Sequence, residues 1–256
     1  MAYRESGYRG NPAWVGIVVF LLMLGWCVAR TGGGHARVSP ETVATELTSN
    51  PEGGSVFKAI GESFPKDMDR LTADLSNRAN SGADQQTLAT ITRDFVADLS
   101  RQHRNDLANT PHPNLAAIEQ AQFALIDYLR GTSPQLCAKF DASGVTLDEL
   151  PAGEARQRLA ALLAAQWRGM GAGRDAPVAR NTATFAQSDK QALLAAMRRD
   201  GLSSPEYTAL KIRAAAGSIS PEIGCGIAVH TIRAIQALPA DQGDRVMGWL
   251  VRQQAS

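Results

Sequence analysis

Histidine and cysteine are the side chains best suited to move protons, attack an electrophile or hold a soft metal, and this 256-residue chain contains four of the first and three of the second. His35 follows three glycines and His112 sits between Pro111 and Pro113, so both are expected in solvated turns. His103 lies in Arg101-Gln102-His103-Arg104 and reads as part of a basic surface patch. His230 is the most informative, because it falls on the apolar face of a helix opening at Pro221, five residues after Cys225. With Cys137 folded against them, the three would approach a Cys-His nucleophile pair or an incomplete zinc site. Residues five apart on a helix lie on different faces, however, and zinc asks for four ligands in close pairs. The sequence therefore favours a His230 hydrogen-bonded inside a bundle, and it assigns no catalytic, cofactor-binding or metal-binding residue.

Among the carboxylates, Glu62 stands out. Glu62-Ser63, after an amphipathic turn, resembles the Glu-Ser opening of lytic transglycosylases, which are helical enzymes of the bacterial envelope. The resemblance covers two residues and implies an envelope hydrolase. The Gly-Leu-Met-Gln element of that family does not follow, and Pro65 opens a new helix instead. Phosphate-binding loops, Gly-x-Ser-x-Gly elbows, HExxH helices and acidic metal loops are absent, and the triple glycine at 32–34 has no lysine after it.

The stretch that organises the chain is Ala13 to Ala29, within twenty uncharged residues bounded by Arg9 and Arg30. Seventeen residues in a helix span about 25 Å, the short end of what crosses a bilayer's hydrocarbon core. Trp14 and Trp26 near its ends suit the headgroup boundary. The rival reading is a cleaved signal peptide with Arg4 and Arg9 as its basic region, but Cys27-Val28-Ala29 and Gly34-His35-Ala36 make poor cleavage sites. The expected organisation is a tail at 1–12, a single membrane helix at 13–29, a glycine-rich tether at 30–37 and an all-α soluble bundle at 38–256. Gly131 to Gly153 is a candidate boundary between subdomains 38–130 and 132–256, although one domain is the preferred reading.

Helical signals fill the soluble part. Ser39-Pro40-Glu41, Ser133-Pro134-Gln135, Ser204-Pro205-Glu206 and Ser220-Pro221-Glu222 each supply a side-chain cap followed by a proline in the first turn. Ser188-Asp189-Lys190-Gln191 has capping-box spacing. Apolar residues recur at three and four between these starts. One stripe runs through Met68, Leu71 and Leu75, and a long one through Leu88, Ile91, Phe95, Leu99 and Leu107 between Asp84 and Thr110. Others pass through Leu115 to Leu129, through Leu159 to Met170 with an end at Gly169 to Gly173, and through Ile223, Ile227, His230, Ala234 and Leu238. Thr110 to Asn114, with its two prolines, is expected to be a turn.

The charge is nearly balanced, with 22 basic and 24 acidic side chains from Val38 onward, so no electrostatic footprint for nucleic acid exists. Cys137 and Cys225 are the even pair outside the membrane segment. They read as one disulfide of an oxidising compartment, or alternatively as two buried thiols. Arg4 and Arg9 are matched by Arg30 and Arg37, which leaves orientation undecided by charge. The cysteines then favour a cytoplasmic tail and a periplasmic domain. The resulting expectation is an inner-membrane protein, anchored through 13–29 and without cofactor, whose bundle binds other envelope proteins as a scaffold, adaptor or assembly factor. Its contact face is expected around Trp167-Met170 or Trp249. An envelope hydrolase using Glu62, Cys225 or His230 is the alternative, and a helical small-ligand sensor a further one.

Overall fold

The computed structural model describes residues 37–180, 184–212 and 219–254, and among these it has eleven α-helices, one short 3-10 turn and no strand. The helices are α1 (Pro40–Ser49), α2 (Gly54–Ser63), α3 (Pro65–Asn80), α4 (Gln85–Ala108), α5 (His112–Thr132), α6 (Pro134–Ser143), α7 (Glu154–Asp175), α8 (Gln187–Arg199), α9 (Ser204–Ile212), α10 (Pro221–Gln236) and α11 (Ala240–Gln254). The anchor expected at 13–29, with Trp14 and Trp26, lies outside the described residues, as does the tether up to residue 36. No described helix is long and apolar enough to cross a membrane.

Several helix starts follow local chemistry. The Ser39, Ser133 and Ser220 side chains accept hydrogen bonds from the backbone N–H groups of Thr42, Leu136 and Ile223, and Asp84 does the same for Thr87 at the head of α4. Two caps differ from their expected places. Ser203, not Ser204, closes a capping box with Glu206, since the Ser203 N–H donates to the Glu206 carboxylate at 2.7 Å and the Glu206 N–H returns to the Ser203 hydroxyl. α8 begins at Gln187, and Asp189 is buried and committed to Arg245 rather than to the backbone. The turn expected at Thr110 to Asn114 is shorter than the prolines suggested. α5 starts at His112 with Pro113 in its first turn, where a missing N–H costs nothing.

α7 is the central element. It packs against α2, α4 and α5, and buried residues occur all round it, from Ala155 and Leu159 to Trp167, Met170 and Gly173. Its three terminal glycines do not end it, contrary to the expected stop, because they mark close approach instead. A methyl group on Gly173 would overlap the carbonyl of Asp106, and one on Gly171 would strike the Ser63 side chain. On the opposite wall Leu115, Ile118, Leu125, Ile126 and Leu129 of α5 are completely buried, each contributing about 1.5 to 3 kcal/mol before entropy is charged against it. α7 joins α2, α4 and α5 in one apolar core.

Phe64 alone separates α2 from α3 and is buried at their bend, edge-on to Trp167 at 5.9 Å. α10 is buried on two sides. Cys225, Val229, Ile232 and Ile235 enter the main core, whereas the expected stripe of Ile223, Ile227, Ala234 and Leu238 packs with Ala196 and Met197 in a small second cluster beneath α8 and α9.

Candidate functional site

The sequence-derived candidates do not converge. Glu62 forms an ion pair with Arg168 at 2.9 Å on the surface, where both side chains are nearly half exposed. Cys225 is joined to Cys137 in a disulfide, with Cα atoms 5.2 Å apart, which ties α10 to α6 and leaves no thiol there to act as a nucleophile. His230 makes its bonds with other residues. Its Nδ1 lies 2.7 Å from an Asp200 carboxylate oxygen at the end of α8, and its Nε2 is 3.8 Å from Glu206 of α9. It thus pins the outer helices to α10. Among the described residues no group of three metal-ligating side chains can hold an ion.

Two further expectations are corrected. His103 is not part of a surface patch, because its ring packs at a tilt against Phe64 with centroids 4.4 Å apart and its Nδ1 reaches Asp106 at 2.7 Å. Trp167 and Met170 offer no contact face, being only 3% and 1% exposed on the helix that every neighbour covers. His112, expected in a solvated turn, does keep an exposed ring at the head of α5, but it is also bonded across the fold. Of the proposed face, Trp249 stays partly exposed and stacks on Phe185 with centroids 4.5 Å apart, while Lys190 lies over the Phe185 ring.

The bond made by His112 leads to a cluster of unlike titratable groups joined across the fold. His112 Nδ1 lies 2.7 Å from one Asp244 carboxylate oxygen, and the other oxygen accepts from Arg180 Nη2 at 2.9 Å. Arg180 is 6% exposed and Asp244 11%, whereas the His112 ring is 56% exposed, leaving Nε2 as the nitrogen not engaged by Asp244. Arg180 Nη1 also donates to the Thr110 carbonyl at 2.5 Å, and the Thr110 hydroxyl donates to the Gly169 carbonyl at 2.9 Å. Glu119 completes the group. It stands seven residues after His112, two turns along one face of α5, and is 9% exposed.

Electrostatics follow from this arrangement. Burial pushes the Glu119 carboxyl up to about 7, and the Asp244 carboxylate adds to the push while His112 opposes it. The hydrogen bond to Asp244 raises the His112 imidazole above its ordinary value. A carboxyl titrating near neutrality beside a histidine-aspartate pair is equipped to exchange protons. Nothing local announced the group. Asp244 is 132 residues from His112, and the helical register that sets Glu119 over His112 appears only once α5 is seen to begin at His112.

Comparison with family models, with curated proteins and with solved structures finds no match to this chain.

Proposed function

We propose that this chain is a membrane-tethered helical domain, held outside the inner membrane by residues 13–29, that binds other envelope proteins as a scaffold, adaptor or assembly factor. The observation that carries the binding role is the partly exposed Phe185–Trp249 stack, an aromatic anchor on the outer side of α11 with the cationic Lys190 beside it. Tryptophan in such a setting is the side chain most often found to dominate interface energetics. The Cys137–Cys225 bond supports an oxidising compartment. The test is mild crosslinking of the tagged full-length protein in membranes, capture after solubilisation and mass spectrometry, with wild type compared to Trp249→Ala. Wild type is expected to recover envelope proteins, and the variant to recover them roughly tenfold less at an unchanged melting temperature. Recovery of the bait alone, or equal recovery by the variant, overturns the reading.

One observation favours a second reading, an envelope hydrolase acting on peptidoglycan or peptide: two carboxyls, Glu119 and Asp244, lie beside His112, and one of them titrates near pH 7. On that reading Glu119 serves as the general acid or base. The purified protein would release soluble fragments from peptidoglycan sacculi or a peptide library, and Glu119→Gln would slow that release by about a hundredfold or more. Wild type that releases nothing removes the hydrolase.

A further inference from the structure

We propose that Glu119, His112, Asp244 and Arg180 form a proton-operated latch, closed below neutral pH and opened above it, that fastens α11 and the segment following α7 to α5 and thereby regulates the Phe185–Trp249 face. In its last step the proposal rests on the docking role given above.

Asp244 is the hub. One carboxylate holds His112 of α5 with one oxygen and Arg180 with the other. Arg180 reaches on to the Thr110 carbonyl, and the Val178 N–H donates to the Asn109 carbonyl at 2.8 Å, so the segment after α7 lies along the α4–α5 turn. The groups around Glu119 are few. α11 presents Asp244, which Arg180 of the segment after α7 holds from its other oxygen, and α5 itself presents His112. α10 places Arg233 over the Phe123 ring one turn beyond Glu119, and α7 sends Arg158 to the Ala124 carbonyl. Arg245, next to Asp244, turns the other way and is held by Asp189 of α8 at 2.9 Å.

With Glu119 neutral and His112 protonated, Asp244 is a single anion between two cations, and the four groups sum to one positive charge. Raising the pH removes the imidazolium and adds a carboxylate, and the sum becomes one negative charge. The new anion repels Asp244 and has to draw water into a buried place, while Asp244 loses one of its two cationic partners. The burial that pushes Glu119 up to about 7 sets the change near neutrality. Asp189–Arg245 contains no group titrating there, so α11 stays tied to α8 while its α5 side loosens. The coupling to the aromatic face is short. Trp249 follows Asp244 by five residues on α11 and carries the Phe185 ring stacked on it.

Hydrogen exchange on the full-length protein in detergent, at pH 5.5 and 8.5 with rates corrected for the intrinsic pH dependence of exchange, tests the latch. In wild type, peptides covering 176–180 and 240–254 are expected to lose about tenfold in protection at the higher pH while α2 and α7 keep theirs. Glu119→Gln, permanently neutral, should retain most of that protection at pH 8.5. His112→Gln, a change at an exposed ring, should lower it already at pH 5.5. Equal wild-type protection at both pH values, or a fall in Glu119→Gln as large as in wild type, overturns the proposal. Partner capture at the same two pH values separates the two claims. If exchange responds and no partner is recovered at either pH, the latch stands and the docking role fails. If Trp249-dependent capture persists while exchange is indifferent to pH, the docking role stands and the latch fails.

Discussion

Replacing Cys137 and Cys225 together by alanine is expected to lower stability by about 2 to 4 kcal/mol and the melting temperature by roughly 5 to 15 °C. The bond closes a separation of 88 residues, for which the chain-entropy account allows about 4 to 5 kcal/mol, and native contacts around the vacated sites return less than that in practice. Its position adds to the effect. α6 meets the rest of the bundle mainly through α10 and α5, and Cys137 is its one buried side chain, so this bond is the principal fastening of that helix. The measurement is thermal unfolding of wild type and of the double variant in non-reducing buffer, with wild type repeated in excess dithiothreitol. A double variant that melts with wild type, or a wild-type midpoint indifferent to the reductant, contradicts the expectation.

Between pH 5 and pH 8 the wild-type protein is expected to lose stability, by about 3 kcal/mol in order of magnitude, and Glu119→Gln to lose much less. The unfolded chain releases the Glu119 proton near its ordinary value of 4.5, whereas burial in the folded state delays release to about 7. Between those values the folded protein binds more protons than the unfolded one, so raising the pH favours unfolding, and the effect is complete once pH exceeds about 7. His112 acts in the same direction. Its bond to Asp244 raises the folded pKa above 6.5, so its contribution is fully present below that value and is lost as pH rises through the folded pKa. Asp189 acts oppositely and elsewhere. The Arg245 hydrogen bond lowers its carboxyl below 3.8, so its contribution is present above 3.8 and is lost only as the solution becomes strongly acidic. Thermal midpoints at half-unit intervals of pH, for both proteins, decide the matter. A flat wild-type profile, or two parallel profiles, excludes a buried Glu119 proton.

The helical class of the domain was legible because its signals are local. Serine-proline pairs at 39, 133 and 220 supply the cap and first turn within three residues, and the stripe Leu115 to Leu129 is buried at the positions its helical period selects, whereas on α4 Leu88, Leu99 and Leu107 are buried but Ile91 and Phe95 only partly, Thr92 and Val96 taking the inner positions. Where a feature depends on what lies opposite, the same reading misled. Gly169, Gly171 and Gly173 looked like a helix end because glycine commonly provides one, and only the approach of Ser63, Asp106 and Thr110 shows that the absent side chains make room for neighbours. Trp167 looked like a contact residue because an aromatic at a helix end is ambiguous until the partners of that helix are known, and α2, α4 and α5 cover it.

The sequence by itself determined the cap chemistry, the helical periods and the balanced charge, since each can be read from the chain without knowing what packs against it. Tertiary structure alone decided what meets what. It bonded Cys137 to Cys225, sent His230 to Asp200 instead of to a cysteine, and brought Glu119, His112, Arg180 and Asp244 from three parts of the chain around one buried carboxylate. The physical reason is that a pKa, an ion pair and a disulfide depend on distance and burial, and for residues 30 to 132 positions apart those quantities exist only after the bundle has closed.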